Sequence, residues 1–122
     1  MHIAATLPAS DLERAKAWYA KVLKLEPVET GEDKSLWYQL DGTRLLLYET
    51  RFAGTNQATA AAIGVDDVEA TVAELKSRGA VFEDYDFDED FHTVDGILTS
   101  PSGRKMAWFK DSEGNILGLA TD

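Results

Sequence analysis

This chain carries the same pattern twice. A short β-type run, Ile3 to Leu7, leads into Ser10-Asp11-Leu12-Glu13, and 56 residues later Thr59 to Val65 leads into Asp66-Asp67-Val68-Glu69. At that offset Ile3, Ala5 and Leu7 fall on Thr59, Ala61 and Ile63. A repeat of this kind constrains the fold more than any single motif, because each copy must make the same supersecondary unit. Each four-residue start has the form of a capping box, with Ser10 and Asp66 expected as the caps. The first helix then presents Leu12, Ala15, Tyr19, Val22 and Leu23 on one face. The second presents Val68, Val72 and Leu75 and stops near Gly79.

Strand candidates follow each helix. Leu36 to Leu40 and Arg44 to Glu49 flank Asp41-Gly42, a strong two-residue hairpin signal. Arg104 to Lys110 and Asn115 to Ala120 flank Asp111-Ser112-Glu113-Gly114, and short strands near Glu26 to Glu29 and Val81 to Asp84 complete the units. The expectation is an α+β domain of two βαβββ modules, about 1–50 and 59–122, joined by a connector at 50–58. Their sheets would form a curved mixed surface with a central cup and the helices outside. Pairing Leu40 with Thr43 puts Leu36, Tyr38, Leu40, Leu45 and Leu47 under the helix, and Trp37, Gln39, Arg44, Leu46 and Tyr48 on the other face. A four-residue turn in the second hairpin would put Met106, Trp108, Leu117 and Leu119 under a helix, with Ala107, Phe109, Ile116 and Gly118 facing away.

The stretch Asp111-Ser112-Glu113-Gly114-Asn115 has the acidic start of a calcium loop. Such a loop needs glycine at its sixth position and glutamate at its twelfth. Here those positions hold Ile116 and Asp122, so a turn is expected instead. Among 122 residues, 12 basic side chains face 22 acidic ones, for a net charge of −10. That balance argues against nucleic acid and anionic membranes as partners. The absence of cysteine removes disulfides, thiolate metal sites and a cysteine nucleophile. No secretion signal or long apolar segment is read, so a cytoplasmic protein is expected.

With these pieces in place, the sequence resembles the vicinal oxygen chelate superfamily of glyoxalases, extradiol dioxygenases, fosfomycin-resistance enzymes and bleomycin-binding proteins. The resemblance rests on SDLERAKAWYAKVL, VDDVEATVAELKSRG and AWFKDSEGNILGL, together with the repeat. In metal-dependent members it implies ligands on the first and last strand of each module. Here those positions fall on Ala4, Leu46, Ala60 and Gly118, none with a donor atom. No metal and no cofactor is therefore expected. His2 and Glu49 are the displaced metal-ligand candidates, and Asp122 lies near the end of the last strand.

What the cup would retain is small residues and aromatics. Trp37, Gln39, Arg44, Leu46, Tyr48, Ala60, Phe109 and Gly118 are the candidate ligand-binding residues, suited to a partly apolar or aromatic small molecule. The first reading is thus a metal-independent small-molecule binding protein, which the resemblance implies is a homodimer. The second is a glyoxalase-like lyase or isomerase using the displaced metal site or His92 as acid or base. A non-catalytic interaction module is the third. His92 closes the acidic, aromatic segment Glu83 to His92, read either as a solvated loop or as a lid over the cup, with Asp90 and Asp95 nearby.

Overall fold

A computed structural model of the chain describes residues 1–121; Asp122 lies outside the described residues. Tertiary contacts group the chain into two compact units. One is Met1–Gln57 with Asp111–Asn115, and the other is Ala58–Lys110 with Ile116–Asp122.

In the first unit, β1 (Ala5–Ala9), α1 (Leu12–Val22), β2 (Glu29–Thr30), β3 (Leu36–Leu40) and β4 (Thr43–Glu49) follow in order. The sheet order is β1-β4-β3-β2, with β1 parallel to β4. The β3–β4 register pairs Leu40 with Thr43, as the Asp41-Gly42 signal predicts. Leu36, Tyr38, Leu45 and Leu47 are accordingly buried, as are Ala15, Tyr19 and Val22 of α1. The rings of Tyr19 and Tyr38 lie 5.8 Å apart. Burial and then the Glu26 carboxylate push the Tyr38 hydroxyl up to about 12. Among the described residues that hydroxyl has no hydrogen-bond partner.

The helix cap differs from expectation by one residue. Asp11, not Ser10, is the N-cap of α1, accepting from the Arg14 amide. Ser10 is released to another partner, the Glu113 carboxylate. Glu113 Oε1 accepts from the amides of Ser10 and Asp11, each at 3.0 Å, and from Arg14 Nη2 at 2.9 Å. Oε2 accepts from Arg14 Nε at 2.9 Å and from the Ser112 hydroxyl at 2.7 Å. The Glu113 side chain is fully buried, while that of Arg14 is half exposed. A carboxylate at a helix N-terminus also meets the positive end of the helix dipole. Burial alone would raise this carboxyl, but the bonds from Arg14, Ser112 and the Asp11 amide outweigh it and lower it to about 2.

Asp111 and Asn115 hold the same turn in shape. Asp111 Oδ1 accepts from the amides of Glu113 and Asn115, and Oδ2 accepts from the Tyr19 hydroxyl at 2.6 Å and from Asn115 Nδ2 at 2.8 Å. Burial, then the Asp111 carboxylate, pushes the Tyr19 hydroxyl up. Asn115 Nδ2 donates in addition to the Pro8 carbonyl. Gly114 sits at φ +85, and a Cβ there would come within 2.9 Å of Gly54 Cα in the connector. Only glycine fits both demands.

The second unit repeats the plan with an addition. It runs β5 (Thr59–Val65), α2 (Val68–Ser77), β6 (Thr93–Val94), β7 (Ile97–Thr99), β8 (Lys105–Lys110) and β9 (Ile116–Thr121), in sheet order β5-β9-β8-β7-β6. Its cap is Asp67, not Asp66, again one residue later than expected, so the 56-residue repeat is intact. Val81 to Asp84 does not supply the extra strand. It makes only an isolated bridge, Phe82 to Phe109, and β7 takes that place beside β8. The cause is Asp95-Gly96, whose φ angles of 53 and 83 close a tight hairpin between β6 and β7.

The second hairpin also departs from expectation. Lys110 pairs with Ile116 and Asp111 N donates to the Asn115 carbonyl, so the turn holds an odd number of residues rather than four. One residue of slip exchanges the faces of a strand. Ala107, Phe109, Leu117 and Leu119 are therefore the buried set, with Val68, Val72 and Leu75 of α2. Neither helix is long and apolar enough to cross a membrane.

Candidate functional site

Each unit has one sheet face without a helix, and the register defines it. In the first unit Trp37 lies opposite Leu46, and Leu46 opposite Thr6; Gln39 pairs with Arg44, and Tyr48 with Pro8. Trp37 and Leu46 are half-buried, while Gln39, Arg44 and Tyr48 are exposed. The Arg44 guanidinium lies 4.3 Å from the Trp37 ring centroid and donates to Glu29 Oε2 at 2.9 Å. This fixes a flat cation on a flat ring at the sheet surface. Gln39 Nε2 donates to the Asp41 and Thr43 carbonyls and so closes the hairpin.

In the second unit the strand slip changes the cast. Phe109, expected on the open face, is fully buried with its ring 5.0 Å from that of Phe82. Trp108 occupies the open face instead, directly opposite Gly118, which itself neighbours Ala62 on β5. Ala60, Ala62 and Gly64 are exposed along the same strand.

The two registers superimpose. Thr6 opposite Leu46 in the first unit corresponds to Ala62 opposite Gly118 in the second. Trp37 opposite Leu46 corresponds to Trp108 opposite Gly118. Leu46 and Gly118 are thus true mates, and a tryptophan stands across from each. The sequence signal for Trp108 was available: it lies 71 residues after Trp37. The offset changes to 72 on the last strand because five residues separate the paired Lys110 and Ile116 where four separate their counterparts, Gln39 and Arg44.

These residues do not fit a metal ion. A Cβ added at Gly118 would lie in van der Waals contact with the Trp108 ring at 3.4 Å and Thr59 Cγ2 at 3.5 Å, and glycine itself brings no donor to this position. Ala4, Leu46 and Ala60 offer no oxygen or nitrogen donor on their side chains. His2 is exposed ahead of β1, and Glu49 is exposed on the helix-side face with Leu45 and Leu47. Among the described residues no three His, Cys, Asp or Glu side chains are grouped to hold a metal.

The acidic segment packs within the second unit. Asp84 accepts from the Thr93 hydroxyl and the Gly96 amide, and these bonds hold its carboxyl below the usual range. Tyr85 stacks on Phe87 at 5.6 Å and meets Trp108 edge-on at 5.6 Å. His92 is exposed, with Nδ1 3.2 Å from the Asp88 carbonyl, and neither Asp90 nor Asp95 is hydrogen-bonded to it. It borders an open cleft of about 310 Å³ with Glu69, Asp95 and Lys105. Among the described residues no carboxylate is hydrogen-bonded to His92 to orient it as a general base.

The comparisons with known proteins agree with this geometry at the level of fold. The glyoxalase / bleomycin resistance protein from Catenulispora acidiphila DSM 44928 is 21% identical with TM-score 0.73, covering 100% of this chain and 98% of that one. A bleomycin-binding protein complexed with bleomycin is 17% identical with TM-score 0.71, covering 100% and 98%. Lactoylglutathione lyase from Agrobacterium tumefaciens is 20% identical with TM-score 0.69, covering 99% and 92%. No match is found among curated proteins. The profile of one family spans residues 2–119, nearly the whole chain. The chain belongs to the Glyoxalase/Bleomycin resistance protein/Dioxygenase superfamily.

Proposed function

We propose that this protein binds a partly apolar or aromatic small molecule without a metal ion, in the manner of the superfamily's ligand-sequestering members. The observation that carries this reading is the Trp108 indole lying over Gly118, where a metal-binding carboxylate would otherwise project. Ala4, Leu46 and Ala60 supply no alternative donors, while Trp37, Leu46 and Tyr48 keep an apolar surface on the helix-free face of the first sheet. Apolar walls with few oriented polar groups are the usual makeup of small-molecule sites. The bleomycin complex among the structural neighbours lends support. The resemblance adds a homodimer to the proposal.

Titrating a panel of aromatic small molecules into chelator-treated protein tests this, read by tryptophan fluorescence and calorimetry. Binding should be unchanged by chelator and weakened in Trp37→Ala. Binding that appears only after metal is added would overturn it. Equilibrium sedimentation of the same sample should give twice the 13.4 kDa chain mass; a monomer would remove the dimer.

A further inference from the structure

The helix-covered side of the first sheet holds a cleft of its own. It measures about 330 Å³, at the small end of ligand-cleft sizes, with Leu12 of α1 and Leu36 of β3 as its apolar wall. Glu13 and Lys16 of α1, Lys34 of the β2–β3 turn and Glu49 of β4 line it with charge. The Asp11 carboxylate, also at this cleft, is already used as the helix cap. The other four charged side chains have no hydrogen-bond or ion-pair partner among the described residues. Glu13 and Lys16 stand three positions apart on one helix, where mutual pairing is weak and a ligand displaces it at little cost.

Lys34 is held in place by its turn. Its φ is +70, a region uncommon for a lysine, and its amide donates to the Gly31 carbonyl at 3.0 Å. The Gly31 amide donates to the Ser35 carbonyl at 2.9 Å, and the Asp33 carboxylate accepts from the Ser35 amide and hydroxyl. Glycine or asparagine would suit the Lys34 backbone better. What lysine adds there is its ammonium.

The repeat supplies an internal comparison. Glu69 lies 56 residues after Glu13 and lines a cleft of about 310 Å³ in the second unit together with Lys105. There Lys105 Nζ is 3.0 Å from Glu69 Oε1 and donates to Thr99 Oγ1 at 3.3 Å, so the charges answer one another. In the first unit both signs are left open.

We propose that the first-unit cleft binds a zwitterionic α-amino acid with an aliphatic side chain. Lys34 and Lys16 take its carboxylate, Glu49 and Glu13 its ammonium, and Leu12 and Leu36 its side chain. A ligand with a single charge satisfies one pair of these side chains and is repelled by the other. The cleft is separate from the helix-free face proposed above, and that reading stands or falls on its own titrations.

The test is a titration of the full-length, isotope-labelled protein with L-leucine, followed by amide and indole chemical shifts. Isocaproate lacks the ammonium of leucine and isoamylamine lacks its carboxylate, so each keeps the side chain and one charge. Leucine should give saturable shifts at Leu12, Lys16, Lys34 and Leu36, and bind about tenfold or more tighter than either analogue. Lys34→Gln should weaken leucine by about fivefold or more without weakening isoamylamine, and Lys34→Arg should restore most of that loss. Glu49→Gln should weaken leucine similarly without weakening isocaproate. Leucine shifts that never saturate, equal affinity for leucine and either analogue, or unaltered leucine binding in both glutamine variants overturns the proposal. Shifts centred on the Trp37 or Trp108 indole would also overturn it, by assigning leucine to a helix-free face.

Discussion

Glu113→Ala is expected to cost about 3–5 kcal/mol of folding stability at neutral pH, measured by urea unfolding. The carboxylate is fully buried, and its removal strands the amides of Ser10 and Asp11 together with the Arg14 guanidinium. Donors left unpaired cost more than the pairing itself contributes. Arg14→Ala should cost less, because two amides and the hydroxyls of Ser10 and Ser112 still reach Glu113. The acid dependence follows with a definite sign. The carboxyl is lowered from 4.5 to about 2 on folding, so its stabilisation is complete above the unfolded value. It is lost as the pH falls from about 4.5 toward 2. The difference between wild type and Glu113→Ala should shrink across that window. An unchanged difference at its acid end would contradict the role given to the carboxylate.

The second large effect concerns the face exchange in the β8–β9 hairpin. Phe109→Ala should destabilise by about 3–5 kcal/mol, the usual cost of removing a buried phenylalanine, because its ring is fully enclosed against Phe82. Trp108→Leu should cost less in stability, since Trp108 is only half-buried, and should instead diminish aromatic-ligand binding. The four-residue turn would reverse the two outcomes. Denaturation of both variants beside a binding titration distinguishes the registers.

Most of the architecture was legible because the chain states it twice. The helices and the β3–β4 register follow from periodicity, two helix-start motifs and one hairpin dipeptide. What escaped was set by single residues whose local chemistry admits two solutions. Ser10 and Asp11 can each cap a helix. Asp11 takes that role through its carboxylate on the Arg14 amide, while the Ser10 hydroxyl is engaged with Glu113, 103 residues away in sequence, and with Arg14. Asp111 to Asn115 fits several turn lengths, and the choice depends on the bonds of Asp111 to Tyr19 and of Asn115 to Pro8, which no local pattern displays. Asp95-Gly96, by contrast, carried the same signal as Asp41-Gly42, just after an acidic run that reads as loop.

For the candidate site the same limits apply. Trp37, Arg44, Leu46 and Gly118 were identifiable from register and resemblance, and the missing donors were visible directly. Phe109 was assigned to the open face in place of Trp108 because a one-residue error in the turn inverts the whole strand. Gln39 looked like a polar anchor, but its amide is used by the adjacent turn carbonyls. The aromatic contacts of Tyr85 and Phe87 depend on how the 83–92 segment folds back on Trp108, which composition does not encode.

The central claim is that aromatic and small residues have taken the place of metal donors. Calorimetric titration of the chelator-treated protein with Zn²⁺, Mn²⁺ and Ni²⁺ tests it most directly, followed by ligand titration of each sample. Expected is no stoichiometric metal binding and an unchanged ligand affinity. One tightly bound metal per chain, required before any ligand binds, would contradict it.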